Sequence, residues 1–108
     1  MDKNLFDLYT DYPQAAEAYS NRGNAYLGKG NYDRAIADFD KAIALDDPQR
    51  AEVYATRGAA YTFVGDYDRA IADYNQAIAL DPQWADAYLG RGLAYLRGGA
   101  RESYGTGP

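Results

Sequence analysis

Gly30-Asn31-Tyr32-Asp33-Arg34-Ala35-Ile36-Ala37-Asp38-Phe39 returns 35 residues later as Gly65-Asp66-Tyr67-Asp68-Arg69-Ala70-Ile71-Ala72-Asp73-Tyr74. The match continues from Lys41-Ala42-Ile43-Ala44-Leu45 into Gln76-Ala77-Ile78-Ala79-Leu80. Agreement of this length at a fixed offset marks a repeat array, in which each unit is one supersecondary element that leans on the next. Working outward, a second string precedes each copy. Tyr12-Pro13-Gln14-Ala15-Ala16-Glu17-Ala18-Tyr19 matches Asp47-Pro48-Gln49-Arg50-Ala51-Glu52-Val53-Tyr54, and both match Asp81-Pro82-Gln83-Trp84-Ala85-Asp86-Ala87-Tyr88. The tyrosines that close these strings are spaced by 35 and 34 residues.

Each unit reads as two antiparallel helices. The first is expected to open at Asp47-Pro48 or Asp81-Pro82, a carboxylate cap followed by proline in the first turn. Tyr19, Arg22, Gly23 and Tyr26 recur as Tyr54, Arg57, Gly58 and Tyr61, and again as Tyr88, Arg91, Gly92 and Tyr95. Spacings of three, four and seven place each set on one helical face. Glycine at Gly28/Gly30 and at Gly65 supplies a left-handed exit. Asn31 and Asp66 then cap the second helix, with Asp33 and Asp68 favouring the positive end of its dipole. Its buried stripe is Ala35, Phe39 and Ala42 with Ile36 and Ile43, repeated as Ala70, Tyr74 and Ala77 with Ile71 and Ile78. Small Gly23 and Ala35 let the two helices approach closely, and the aromatic fills the gap beyond. A hairpin of this kind cannot bury both faces alone, so the pattern predicts an all-α solenoid.

The bulk composition removes many function classes. The 108 residues suit a single domain, and a net charge of −5 without a cluster of Lys and Arg argues against nucleic acid as partner. The sequence has no Cys and no His, so disulfides, thiolate nucleophiles, the usual zinc sites and imidazole catalysis are excluded. No apolar run approaches the ~20 residues that span a bilayer, and no signal-peptide pattern opens the chain. No membrane is expected, and the default location is cytoplasmic. Asp38 and Asp40 sit two apart on a helix and so diverge, while Asp66 and Asp68 are explained by capping. Gly28-Lys29-Gly30 follows no strand and lacks a phosphate-loop pattern. The expectation is no enzyme, no metal and no cofactor.

The succession Gly58, Tyr61, Ala70, Tyr74, Ala77 and Pro82 resembles the tetratricopeptide repeat family. The resemblance covers roughly residues 13–99 and implies a right-handed solenoid of about two and a half repeats, divided near 13–47, 48–81 and 82–99. Residues 1–12, with Leu5, Phe6, Leu8 and Tyr9, are expected to form a partial helix or cap, and residues 100–108 a disordered tail. Arg22, Arg57 and Arg91 stand where the family prefers leucine. Two readings apply: a long side chain covering the core edge with its head in water, or an ion pair to Asp38 and Asp73 between the helices.

The resemblance also implies a non-catalytic interaction module whose first helices line a concave groove for a peptide or partner protein. The inward positions carried over are Glu17, Ser20, Asn21 and Asn24; Glu52, Ala55, Thr56 and Ala59; and Asp86, Leu89, Gly90 and Leu93. A subgroup of the family clamps the carboxylate of chaperone C-terminal tails. Asn24 fits that clamp, but Ser20, Thr56, Asp86 and Gly90 replace its other members, which argues against such a tail. Glu17, Glu52 and Asp86 form an acidic row that leans toward neutral or basic ligands. The alternative function is structural: Tyr88, Leu89, Leu93, Tyr95 and Leu96 lie on a first helix without a second, and their burial against another copy would give a homo-oligomer.

Overall fold

The computed structural model describes residues 14–45 and 50–106, with side chains through Gly99. The expected helix over 1–12 and the Asp47-Pro48 helix start lie outside the described residues. Five helices and no strand are described: α1 (Ala15–Gly28), α2 (Tyr32–Leu45), α3 (Ala51–Val64), α4 (Tyr67–Leu80) and α5 (Ala85–Thr106). They fall into two compact units that divide before Arg50.

In the first unit α1 and α2 form a hairpin. Gly30 adopts φ 78°, and Asn31 N–H reaches back to Tyr26 O at 2.9 Å, which closes α1 in the way its glycine predicts. Asn31 Oδ1 accepts from Arg34 N–H at 3.4 Å and caps α2. Between the helices lie Tyr19, Ala35, Phe39 and Ala42, with Phe39 wholly buried. Gly23 is obligatory here, because a Cβ would lie 2.8 Å from the Phe39 ring. Burying that ring contributes about 2–3 kcal/mol, so the glycine on α1 is tied to the largest side chain of α2.

The second unit repeats the device and adds a helix. Gly65 adopts φ 85°, Asp66 N–H bonds Tyr61 O at 2.9 Å, and Asp66 Oδ1 accepts from Arg69 N–H at 3.3 Å. Its core joins Val53, Tyr54 and Ala60 of α3 with Ala70, Tyr74 and Ala77 of α4 and Ala87 and Ala94 of α5. The Tyr74 ring lies between two glycines: a Cβ on Gly58 would meet it at 3.2 Å, and one on Gly90 would lie 2.8 Å from its hydroxyl.

Two of the three repeating arginines, Arg22 and Arg57, are paired with carboxylates. Arg22 Nε and Nη2 hold both Asp38 oxygens at 2.8 Å, and Arg57 holds Asp73 identically. These two-pronged bonds run between the helices of a hairpin, as the ion-pair reading expects. The bond to Asp38 pushes the Arg22 guanidinium above its ordinary pKa. Each guanidinium also lies 5.7–5.9 Å from two tyrosine ring centres of its own helix, Tyr19 and Tyr26 or Tyr54 and Tyr61.

Two local expectations differ from the structure. Asp81-Pro82 does not start α5. Asp81 N–H closes α4 on Ala77 O at 2.8 Å and its side chain accepts weakly from Gln83 N–H at 3.4 Å, so a turn comes first and the helix begins at Ala85. The backbone between 100 and 106 is helical, continuous with α5, where a disordered tail is expected. Gly98 and Gly99 are not left-handed. Gly98 instead lets α5 pass close over α4, since a Cβ there would lie 3.2 Å from Tyr67 Cβ.

Candidate interaction surface

The groove positions fall differently in the two units. On α1, Glu17, Asn21 and Asn24 are exposed and Ser20 is half-buried, along one side of the helix. On α3, Glu52 is exposed, but Thr56 donates its hydroxyl to Glu52 O at 2.6 Å and Ala55 is buried. Those two side chains therefore offer a ligand little. Asp86 and Leu89 stand exposed on α5.

Three expected residues do come together. Ala59 of α3 and Gly90 and Leu93 of α5 line a pocket of about 140 Å³, with Thr62, Phe63, Tyr74 and Arg97. The missing Cβ of Gly90 makes room for the Tyr74 ring beneath. Phe63 and Leu93 form apolar walls that are 58% and 43% exposed, and Arg97 brings a cation. Thr62 turns its hydroxyl proton onto Gly58 O at 2.9 Å. Burial pushes the Tyr74 phenol above its ordinary value of 10, against a smaller lowering by the Thr62 hydroxyl. The pocket thus presents apolar surface to water, an arrangement suited to one side chain of a partner. A wider recess of about 280 Å³ lies among Arg50, Ala51, Glu52, Asp81 and Trp84.

Phe63 and Arg97 escape a reading by repeat. Phe63 occupies the position held by Gly28 one period earlier and by Arg97 one period later, so neither joins a recurring stripe. The usable signal was the departure itself: a large apolar residue at a position that is otherwise glycine or arginine. Among the described residues, no three His, Cys, Asp or Glu side chains are grouped to hold a metal ion, and no helix is long and apolar enough to cross a membrane.

Paired helices whose first member carries the glycine and whose second carries the ring, recurring at 35 residues, define an all-α helical-repeat protein of the solenoid class. The profile described as Tetratricopeptide repeat matches residues 16–47, and a second, described as TPR repeat, matches residues 64–99. The second TPR of Spaghetti (RPAP3), bound to the HSP90 peptide SRMEEVD, is similar at 33% identity over 86% of this chain and 85% of that one, with TM-score 0.76. The second TPR domain of human RPAP3, in complex with the HSP70 peptide SGPTIEEVD, gives 34% over 82% and 74%, with TM-score 0.75. The crystal structure of MamA gives 30% over 89% of this chain and 56% of that one, with TM-score 0.78. Among curated proteins no sequence match is found. The chain belongs to the tetratricopeptide repeat family, with about two and a half repeats.

Proposed function

We propose that the chain is a non-catalytic protein-interaction module that takes a partner segment against α3 and α5, anchored by an apolar side chain in the pocket of Ala59, Phe63 and Leu93. The exposed apolar walls over the Tyr74 floor carry this reading. Peptide complexes of two similar repeat domains support it. The bound peptides there end in Glu-Glu-Val-Asp. In this chain Ser20, Thr56, Asp86 and Gly90 supply no cation at the clamp positions, and Glu52 and Asp86 are exposed carboxylates. A neutral or basic segment therefore suits the surface better than an acidic tail.

Selection from a displayed random-peptide library, followed by calorimetry, tests this. Selected peptides are expected to share one large apolar residue, to bind better than SRMEEVD, and to lose about tenfold or more in affinity on Leu93→Glu with helicity intact. Selected peptides that bind Leu93→Glu unchanged, or no more tightly than SRMEEVD, would sink the reading.

The second reading, self-association, is favoured by Leu89, Tyr95 and Leu96, which are 64%, 56% and 67% exposed on one helix together with half-exposed Tyr88 and Leu93. Sedimentation velocity of Leu96→Glu against the parent chain tests it: an oligomer that dissociates supports assembly, and a parent that is already monomeric removes it.

A further inference from the structure

Four positions recur on each first helix, and in two hairpins three of them are seen to meet the second helix. On α1 they are Tyr19, Arg22, Gly23 and Tyr26, and on α3 they are Tyr54, Arg57, Gly58 and Tyr61. The arginine takes a carboxylate through two bonds of 2.8 Å, the glycine seats an aromatic ring, and the last tyrosine receives a guanidinium. Those incoming guanidinium groups, Arg34 and Arg69, lie 5.7 and 5.9 Å from the ring centres of Tyr26 and Tyr61. Both incoming helices therefore carry one pattern, Arg-Ala-x-x-Asp-aromatic-x-x-Ala: Arg34, Ala35, Asp38, Phe39, Ala42, and Arg69, Ala70, Asp73, Tyr74, Ala77.

On α5 the same four positions, Tyr88, Arg91, Gly92 and Tyr95, are built but not filled in this way. Arg91 donates to the amide oxygen of Asn75 at 2.9 Å instead of gripping a carboxylate. The residue sixteen beyond it, where Arg22 and Arg57 find their aspartates, is Gly107. A Cβ on Gly92 would have nothing within 4 Å among the described residues, and Tyr95 is 56% exposed. Because α5 continues as one helix to Thr106, residues 100–106 do not fold back over this face. The face is nonetheless set in place: Tyr88 donates its hydroxyl to Pro82 O at 3.0 Å, and its ring centre lies 5.3 Å from the Arg91 guanidinium.

We infer that this face of α5 docks one amphipathic helix of a partner polypeptide bearing Arg-Ala-x-x-Asp-aromatic-x-x-Ala. Its aspartate meets Arg91, its ring lies on Gly92, and its arginine stacks on Tyr95. The charges are complementary in both directions, a cation on α5 for a carboxylate and a tyrosine ring for a guanidinium. A second folded copy does not fit the requirement. Its helices of this pattern are already committed: Ala35 and Ala70 are 0% exposed, and Asp38 and Asp73 are 4% and 5% exposed. The surface is also distinct from the Leu93 pocket, so the two proposals fail separately.

The probe is a labelled peptide of the chain's own residues 66–81, acetylated and amidated, titrated into the full chain by fluorescence anisotropy. Saturable binding with a gain of helical circular dichroism is expected. Gly92→Leu fills the ring's seat and should weaken binding about tenfold or more, while Leu93→Glu leaves it unchanged. Asp73→Arg in the peptide should abolish binding and Arg91→Asp in the chain should restore it. The inference is overturned by no saturable binding up to ~1 mM, by equal binding to Gly92→Leu, or by loss with Leu93→Glu alone. It is equally overturned if the chain dimerises through Gly92 and ignores the peptide.

Discussion

Removing Asp73 isolates what the two-pronged pair contributes. In Asp73→Ala the Arg57 guanidinium keeps its position but loses both 2.8 Å bonds, with only 18% of its side chain exposed for hydration. Breaking a buried ion pair from one side costs about 3–5 kcal/mol. The flanking rings of Tyr54 and Tyr61 soften the loss, which places it near the low end, about 3 kcal/mol. At about 4–8 °C per kcal/mol for a chain of this size, the melting temperature should fall by at least ~10 °C. Asp38→Ala is the internal control. Its partner Arg22 is 40% exposed and regains water more readily, so the loss should be about 1 kcal/mol. Replacing both members together, Arg57→Met with Asp73→Leu, removes the cation along with its carboxylate and should come within about 1 kcal/mol of the parent. Urea unfolding at constant slope measures all four chains. Asp73→Ala costing no more than Asp38→Ala, or a double variant that loses as much as Asp73→Ala, would refute the reasoning.

Gly90→Ala and Gly92→Ala should have opposite signs: the first drives a methyl into the Tyr74 ring and should cost about 1–3 kcal/mol, while the second meets nothing within 4 Å and should gain up to ~1 kcal/mol of helix propensity. Thermal melts of the two variants decide it. Gly65→Ala, at φ 85°, should lose about 1–2 kcal/mol from left-handed strain alone, read from the urea midpoint. Burial raises the Tyr74 phenol in the folded chain, so the unfolded chain gives up that proton first. Stability is then whole below about pH 10 and falls as pH rises above it, and Tyr74→Phe should flatten that fall in urea midpoints taken from pH 9 to 11.

The hairpins were legible because their determinants are local or strictly periodic. Left-handed Gly30 and Gly65, the Asn31 and Asp66 caps, and the Ala35-Phe39-Ala42 stripe with its later copy each follow from one residue and its neighbours on a helix. The choice between the two readings of Arg22 and Arg57 was not legible. A long side chain over a core edge and a buried ion pair share one sequence, and only the position of the facing helix brings Asp38 and Asp73 within reach. Asp81-Pro82 misled because proline suits a turn as well as a first helical position, and closure of α4 on Ala77 used Asp81 first. The pocket was half legible: Ala59, Gly90 and Leu93 follow from the family's inward positions, whereas Phe63 and Arg97 depend on what fails to repeat.

That contrast bears on where specificity resides in a chain of this kind. Positions that repeat, such as Gly23 and Gly58 or Asp38 and Asp73, are constrained by the neighbouring helix and leave little freedom to encode a partner. Positions that break the period are released from that constraint. Gly28, Phe63 and Arg97 share one register, yet the two in the second unit supply a wall and a cation to the same pocket. Arg91 and Gly92 show the converse case, in which the repeating residues are present and their usual contacts are not, and the docking proposed above uses there an element that elsewhere serves folding. On α1 and α3 the arginine, the glycine and the last tyrosine of the set lie against a second helix, and on α5 the same positions meet no such helix among the described residues.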